Sequence, residues 1–285
     1  MTVLVGIVLV IGSILLGYTM HDGKVAILLQ VSEFIIIGGA GLGAMVIGNP
    51  PSVLKSIVHE VLGLLKPSKF TERTYAELLQ VLYEVFQTAR KDGLIALETH
   101  VEDPQASLLF RKYPLFTSHE HAVRLLCDTL KVMLSGTVED HHLAEILELD
   151  LERHHDEASV VPGAISRAAD AMPGFGIVAA VLGVVVTMQS ISGSAAEIGS
   201  KVAAALVGTF LGILLSYGFF APIGQAIETR VRGEGAYLAC IRTALLSFSR
   251  GDAPMTCVEF ARRNIEPADR PSFEELEALT RRKAA

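Results

Sequence analysis

The sequence predicts an all-α membrane protein with four transmembrane helices and a large cytoplasmic helical domain between the second and third spans. Three observations carry that expectation. Of 285 residues, 51% are hydrophobic and only 19% charged, with a mean hydropathy of +0.45, more apolar than a charged surface readily encloses. Four apolar stretches, at about 2–19, 26–48, 171–190 and 202–224, each approach the roughly 20 residues that cross a bilayer as a helix. Between the second and third lies a long charged segment with helical periodicity.

The first stretch invites comparison with a secretion signal, but it lacks a basic leading region and a convincing small-residue cleavage site. A second apolar stretch follows almost at once after HDGK, so a retained helix is expected. That second stretch carries Gln30 and Glu33 before FIIIGGAGLGAMVIG, and this polar pair is expected near a membrane interface or facing a protein neighbour. Lys55, Lys66 and Lys69 follow the second span, Arg167 precedes the third, and Arg230 and Arg232 follow the fourth. The two short connections carry only Lys24 and Lys201, so the positive-inside rule places both large segments and both termini in the cytoplasm, with the spans in the inner membrane.

Residues 49–170 hold 19 acidic against 12 basic side chains, a balance that argues against nucleic acid as a partner. TERTYAELLQVLYEVFQTARKDG predicts a helix over 71–91, with Leu78, Leu82, Val85 and Phe86 on one face. Gly93 and the Asp103-Pro104 step mark breaks. Further helices are expected over 119–133 and in VEDHHLAEILELDLERHHDEA, where Leu143, Ile146, Leu147 and Leu151 form a stripe for packing against neighbours. In the tail, a helix is expected near 235–248, and SFEELEALTRRKAA offers Ser272 as a cap with Glu275 at the third helical position. The expected parts are therefore spans one and two (1–48), a cytoplasmic helical domain (49–170), spans three and four (171–224) and a cytoplasmic helical tail (225–285).

Chemistry-bearing motifs are sparse. His119 and His121 lie two apart, and His141, His142, His154 and His155 form adjacent pairs on a helix, where neighbours one apart do not readily share an ion; no HExxH occurs. Solvated helix faces, and no metal, are expected. Cys127, Cys240 and Cys257 are widely spaced and form neither a CxxC site nor a disulfide scaffold. No GxGxxG or GxxxxGK loop occurs, and the glycines of GGAGLGAMVIG lie in a span, which favours close packing over nucleotide binding. No cofactor and no enzymatic activity are expected.

The third and fourth spans are lined by small residues. Gly176, Ala180, Gly183 and Thr187 recur at helical intervals on one, and Ala205, Gly208, Thr209, Gly212 and Ser216 on the other. Such faces let helix backbones approach closely in lipid. Neither span supplies Asp or Glu near its centre, and a bare charge there costs about 3 kcal/mol or more, so an ion route would need a carboxylate from another chain. Pro173 and Pro222 each predict a local bend, which either couples helix packing to the cytoplasmic segments or simply shapes two rigid helices.

The order of four spans, the large loop, MPGFGIVAAVLG, ALVGTFLGILLSYGFFAPIG and the late RPSFEELE stretch together resemble the flagellar stator (MotA) branch of the MotA/TolQ/ExbB proton channel family, along almost the whole chain. The resemblance implies an ion-channel-forming stator subunit that couples proton flow to torque. It implies a MotB-like partner whose single span supplies the ion-carrying aspartate, a ring of five such chains around two partner helices, and the rotor protein FliG. It gives Pro173 and Pro222 the coupling role, Arg90 and Glu98 the rotor interface, and Ala180 and Thr209 the ion pathway. Sodium-driven relatives tend to carry threonine at the position of Ala180; its absence here implies protons. An ExbB-like or TolQ-like energiser of envelope transport, usually with three spans, and a non-conducting membrane scaffold are the alternative readings.

Overall fold

Thr2–Met20 forms α1, whose residues alternate Val, Leu, Ile and Gly without a charge; none of them is buried, so its apolar surface is left for lipid or other chains. The computed structural model describes residues 2–136, 138–189 and 191–281, and all regular structure among them is helical. Four helices are long and apolar enough to cross a membrane, within Thr2–Met20, Val25–Gly48, Asp140–Met188 and Ala195–Ser249. They flank a large helical domain between the second and third, the architecture expected. Only the apolar portions of the last two helices, near 171–190 and 202–224, are read as crossing the bilayer.

The second span is interrupted, unlike the single helix expected. Val25–Leu28 makes one turn, then α2 runs from Val31 to Gly48. The Gln30 side chain donates to the Ile27 carbonyl at 3.1 Å, satisfying part of the interrupted turn. After α2, Asn49 Nδ2 donates to the Met45 carbonyl at 2.8 Å. Pro51 then opens α3 (Pro51–Gly63), a helix the apolar pattern did not single out, at the first helical position where proline loses nothing.

Glu72–Asp92 forms α4, and Leu78, Leu79, Val81, Leu82, Val85 and Phe86 are its fully buried face. It stops at Gly93, whose φ of 85° and ψ of 160° lie in territory open essentially to glycine alone. Gly93→Val is therefore expected to destabilise this domain by about 1–3 kcal/mol, read as a lowered thermal midpoint of the purified full-length protein. Short turns over Leu94–Leu97, Glu98–Glu102, Phe110–Lys112 and Pro114–Thr117 lead to α5 (Glu120–Leu134).

The helix expected from VEDHHLAEILELDLERHHDEA and the third span are one element, α6, running unbroken over Asp140–Met188 with Pro162 and Pro173 inside it. Each proline removes one amide donor, but the flanks are held: Ala164 and Ile165 are buried against Ile57, Leu64 and Ile227. Ser194 caps α7 (Ala195–Ile213) by accepting from the Glu197 amide at 3.2 Å. Leu214–Phe220 is a widened π turn, and Ala221–Ser249 forms α8, so the tail helix expected near 235–248 is the far end of the same run. Pro254–Arg263 forms α9 and Phe273–Arg281 α10. Ser272 and Glu275 make the reciprocal cap read from sequence, Glu275 N to Ser272 Oγ at 3.1 Å and Ser272 N to Glu275 Oε2 at 2.6 Å. The last four residues of that tail, and Ser190 at the end of the third apolar stretch, lie outside the described residues.

The chain divides into two compact units. One comprises Met1–Pro67 and Ala158–Thr229, the other Ser68–Glu157 and Arg230–Ala285. Ile37, Met172, Ala179 and Leu211 form a core among the spans of the first. In the second, Phe86, Phe110, Phe116, Leu126, Leu147 and Ile241 belong to one continuous core, each side chain contributing about 1.5–3 kcal/mol on burial.

Candidate functional site

Alanine and glycine leave a helix without a side-chain sheath, and the third and fourth spans use this to bring backbone against backbone. A methyl group added at Gly212 would sit 2.7 Å from the Met172 carbonyl oxygen and 2.8 Å from Gly176 Cα; one at Gly176 would sit 2.8 Å from the Gly208 oxygen. At Gly183 it would fall 2.6 Å from Ala205 Cβ. Gly176 and Gly183 of α6 and Ala205, Gly208 and Gly212 of α7 thus lie along one crossing, driven in lipid by dispersion and shape rather than by water.

Gly208 marks the level of interest. A methyl group there would meet Glu33 Oε2 at 2.6 Å, Ala179 Cβ at 3.0 Å and the Ala180 amide nitrogen at 3.1 Å. Ala180 and Thr209 therefore flank the same level, both half-buried. Towards opposite ends of the pair, Thr187 and Ser216 are buried to 1% exposure. Thr187 Oγ1 donates to the Gly183 carbonyl at 2.7 Å, which commits its proton to its own helix.

In the sequence Glu33 is legible only as a polar residue facing an interface or a neighbour, and the third and fourth spans supply no carboxylate near their centres. The structure delivers one from the second span. Glu33 is 5% exposed, lies in the first turn of α2 and has one oxygen, Oε2, without a hydrogen-bond partner among the described residues. Ionisable groups at such positions are costly to bury and mark sites where charge is handled.

Pro173 is half-buried within α6, and Pro222 is exposed near the start of α8. A proline ring crowds the carbonyl four residues back, here that of Gly218, and the π turn over Leu214–Phe220 widens the helix at that point. In the second unit, Arg90 is exposed near the end of α4, its Nη1 donating to the Asp252 carbonyl at 3.4 Å. Glu98 is exposed at the start of the short helix beyond Gly93, with Lys91 and Asp92 exposed between them.

The remaining sequence candidates separate by burial. All three cysteines are buried and free, and burial pushes the Cys127 thiol up to about 12, so it packs rather than reacts. His141 and His142, adjacent at the first turn of α6, do converge: their rings are 4.0 Å apart, and ligand atoms of Glu139, His141 and His142 lie within 4.8 Å of one another. At a helix start the side chains are not yet confined by a preceding turn, so adjacent residues can converge there, though all three residues are exposed. His119, His121 and His154, read as solvated, are instead half-buried, and His121 stacks on His154.

Comparison with known proteins accords with this architecture. Residues 4–93 match the motility protein A N-terminal family and residues 118–239 the MotA/TolQ/ExbB proton channel family. The chain is 37% identical over 281 residues to motility protein A of Salmonella typhimurium, covering 99% of this chain and 95% of that one. It is 36% identical to motility protein A of Escherichia coli, with the same coverage, and 35% identical over 272 residues to the chemotaxis protein LafT of Vibrio parahaemolyticus, covering 95% of each. The fold matches the structure of C. jejuni MotAB with a TM-score of 0.78 at 19% identity, over 95% of this chain and 98% of that one. It matches the flagellar MotAB stator complex from Bacillus subtilis with a TM-score of 0.69 at 23% identity, over 90% and 92%. By its relatives along nearly its full length, the chain belongs to the MotA/TolQ/ExbB proton channel family, among the motility protein A subunits.

Proposed function

We propose that this chain is a torque-generating stator subunit of a flagellar motor, passing protons inward together with a MotB-like single-span partner and moving the rotor protein FliG. It is a multi-pass inner-membrane protein with a large non-membrane domain, and an ion-conducting subunit rather than an enzyme. The observation that supports the reading most directly is the side-chain-poor crossing at Gly208, with Ala180, Thr209 and Glu33 at one level and both of its helices continuing into the charged domain.

In the proposed cycle, a periplasmic proton neutralises the partner's aspartate beside Ala180 and Thr209. Neutralisation lowers the cost of desolvating that carboxyl and permits a second packing of the helices; release to the cytoplasm restores the first. The glycine contacts make the crossing sensitive to small displacements, and Pro173 and the widened turn before Pro222 are where the helices yield. Arg90 and Glu98 present opposite charges to the rotor, enough to orient an encounter without a lasting salt bridge. The reading includes cytoplasmic termini, a cytoplasmic domain within 49–170 and a tail over 225–285, and five chains around two partner helices. The four spans weigh against an ExbB-like or TolQ-like energiser.

Alanine at position 180 removes a side-chain oxygen that a dehydrated sodium ion would need, whereas a proton rides on a carboxylate or on water. Cells lacking their own stator but expressing this chain with its cognate partner are therefore expected to swim at speeds that follow external pH and stay flat as sodium is varied at fixed proton-motive force. Speed that tracks sodium overturns the ion assignment; failure of the pair to restore swimming overturns the stator reading.

A further inference from the structure

The helices that carry the third and fourth spans also hold a half-buried cluster of titratable groups in the second unit that the ion pathway does not use. His154 on α6 lies with Nε2 3.4 Å from Glu234 Oε1 on α8, an ion-pair contact without hydrogen-bond alignment. The His121 ring on α5 stacks on the His154 ring, centroids 4.0 Å apart and planes 19° apart, and His121 Nε2 is buried without a hydrogen-bond partner. Glu148 on α6 and Arg242 on α8 form a second ion pair between the same two helices.

We infer that His121, His154 and Glu234 form a pH-sensitive latch that holds α5 against α6, with α8 supplying the counter-charge, closed near neutral pH and opened between α5 and α6 by acidification of the compartment facing this domain. One proton fits the cluster: on His154 it answers Glu234, and the neutral His121 ring stacks against it. A second proton, on His121, places two like charges face to face at 4.0 Å, an arrangement relieved by separating the rings and with them α5 from α6.

The surroundings act in the same sense. Burial first, then His154 and Arg124, hold His121 below the ordinary histidine value, opposed by Asp150 and Glu234. The Glu234 carboxylate holds His154 above it, aided by Asp150 and Glu157 and opposed by burial. Burial first, then Lys69, hold His119 below the ordinary histidine value, opposed by Glu234. For His121 the folded state favours the neutral ring, so its contribution is complete above about pH 6.5 and drains as pH falls below that value. For His154 the folded state favours the charged ring, so its contribution is complete below about pH 6.5 and is lost as pH rises through its raised folded value. The latch is tightest between the two.

This regulation rests on the stator reading only for its consequence in the motor, so two measurements separate them. Amide exchange of the full-length protein in lipid nanodiscs, corrected for intrinsic rates, is expected to rise about tenfold over 119–124 and 150–157 between about pH 7.5 and about pH 5.5. His121→Gln is expected to flatten that acid limb, and Glu234→Gln to weaken protection at the neutral end. An identical profile in wild type and His121→Gln overturns the latch, as does protection that responds to added zinc but not to pH. In cells, lowering cytoplasmic pH with a permeant weak acid is expected to slow wild type more than His121→Gln at matched proton-motive force; equal slowing also overturns it. A wild-type chain that fails to restore swimming while its exchange profile holds overturns the stator reading alone.

Discussion

Gly212→Ala is expected to abolish motility with the protein still inserted in the membrane. The added methyl would lie 2.7 Å from the Met172 carbonyl oxygen, 2.8 Å from Gly176 Cα and 3.0 Å from Gly176 N. Every one of these atoms is backbone, so no side chain can rotate out of the way, and α6 and α7 must separate. Overpacking of this kind costs about 1–3 kcal/mol, which need not unfold the chain but spoils a crossing whose geometry sets the ion path. Swimming speed and proton influx read the effect, with membrane abundance as the reference. Gly38→Ala, with no atom within 4 Å of the added methyl, is the control and is expected to be silent. Equal behaviour of the two variants would show that close approach of the third and fourth spans is irrelevant to function.

Glu33→Gln is expected to leave assembly intact and to cut proton influx by about tenfold or more, the effect of removing a positioned proton-transfer group. The substitution keeps the volume that Gly208 accommodates and removes only the capacity to gain and lose a proton. The side chain is 5% exposed, within the level of Ala180 and Thr209, and its Oε2 has no hydrogen-bond partner among the described residues. A role limited to packing predicts the opposite result, full influx with glutamine. The measurement is the rate of cytoplasmic acidification under an imposed gradient in cells expressing the chain with its partner. Unchanged influx with Gln removes Glu33 from the pathway.

The four spans were legible because hydrocarbon imposes a length and a polarity that a sequence cannot disguise. The Ser272 and Glu275 cap was legible because its contacts are local. Two things were not. The fusion of the expected cytoplasmic helix with the third span escaped because the charged stretch and the apolar stretch were delimited by polarity, whereas one helix runs through both, with Ala164 and Ile165 packed between Pro162 and Pro173. The position of Glu33 escaped because burial between spans is a tertiary property: Gln30 and Glu33 look alike in sequence, and only the approach of α7 makes one buried and leaves the other near the surface. The His121 and His154 stack escaped for the same reason, being formed by residues far apart in the chain.

The widened turn over Leu214–Phe220 has a further bearing on how such a span moves. A π turn holds one residue more than the regular spiral needs, and residues of an α-helix are spaced about 100° apart around the axis. Passing that surplus residue up or down the helix swivels everything on one side of it by roughly that angle, while the neighbouring amides merely exchange carbonyls. The segment bearing Gly208 and Thr209 is thereby joined to α8 through a turn at which such a shift would need no unwinding at either end.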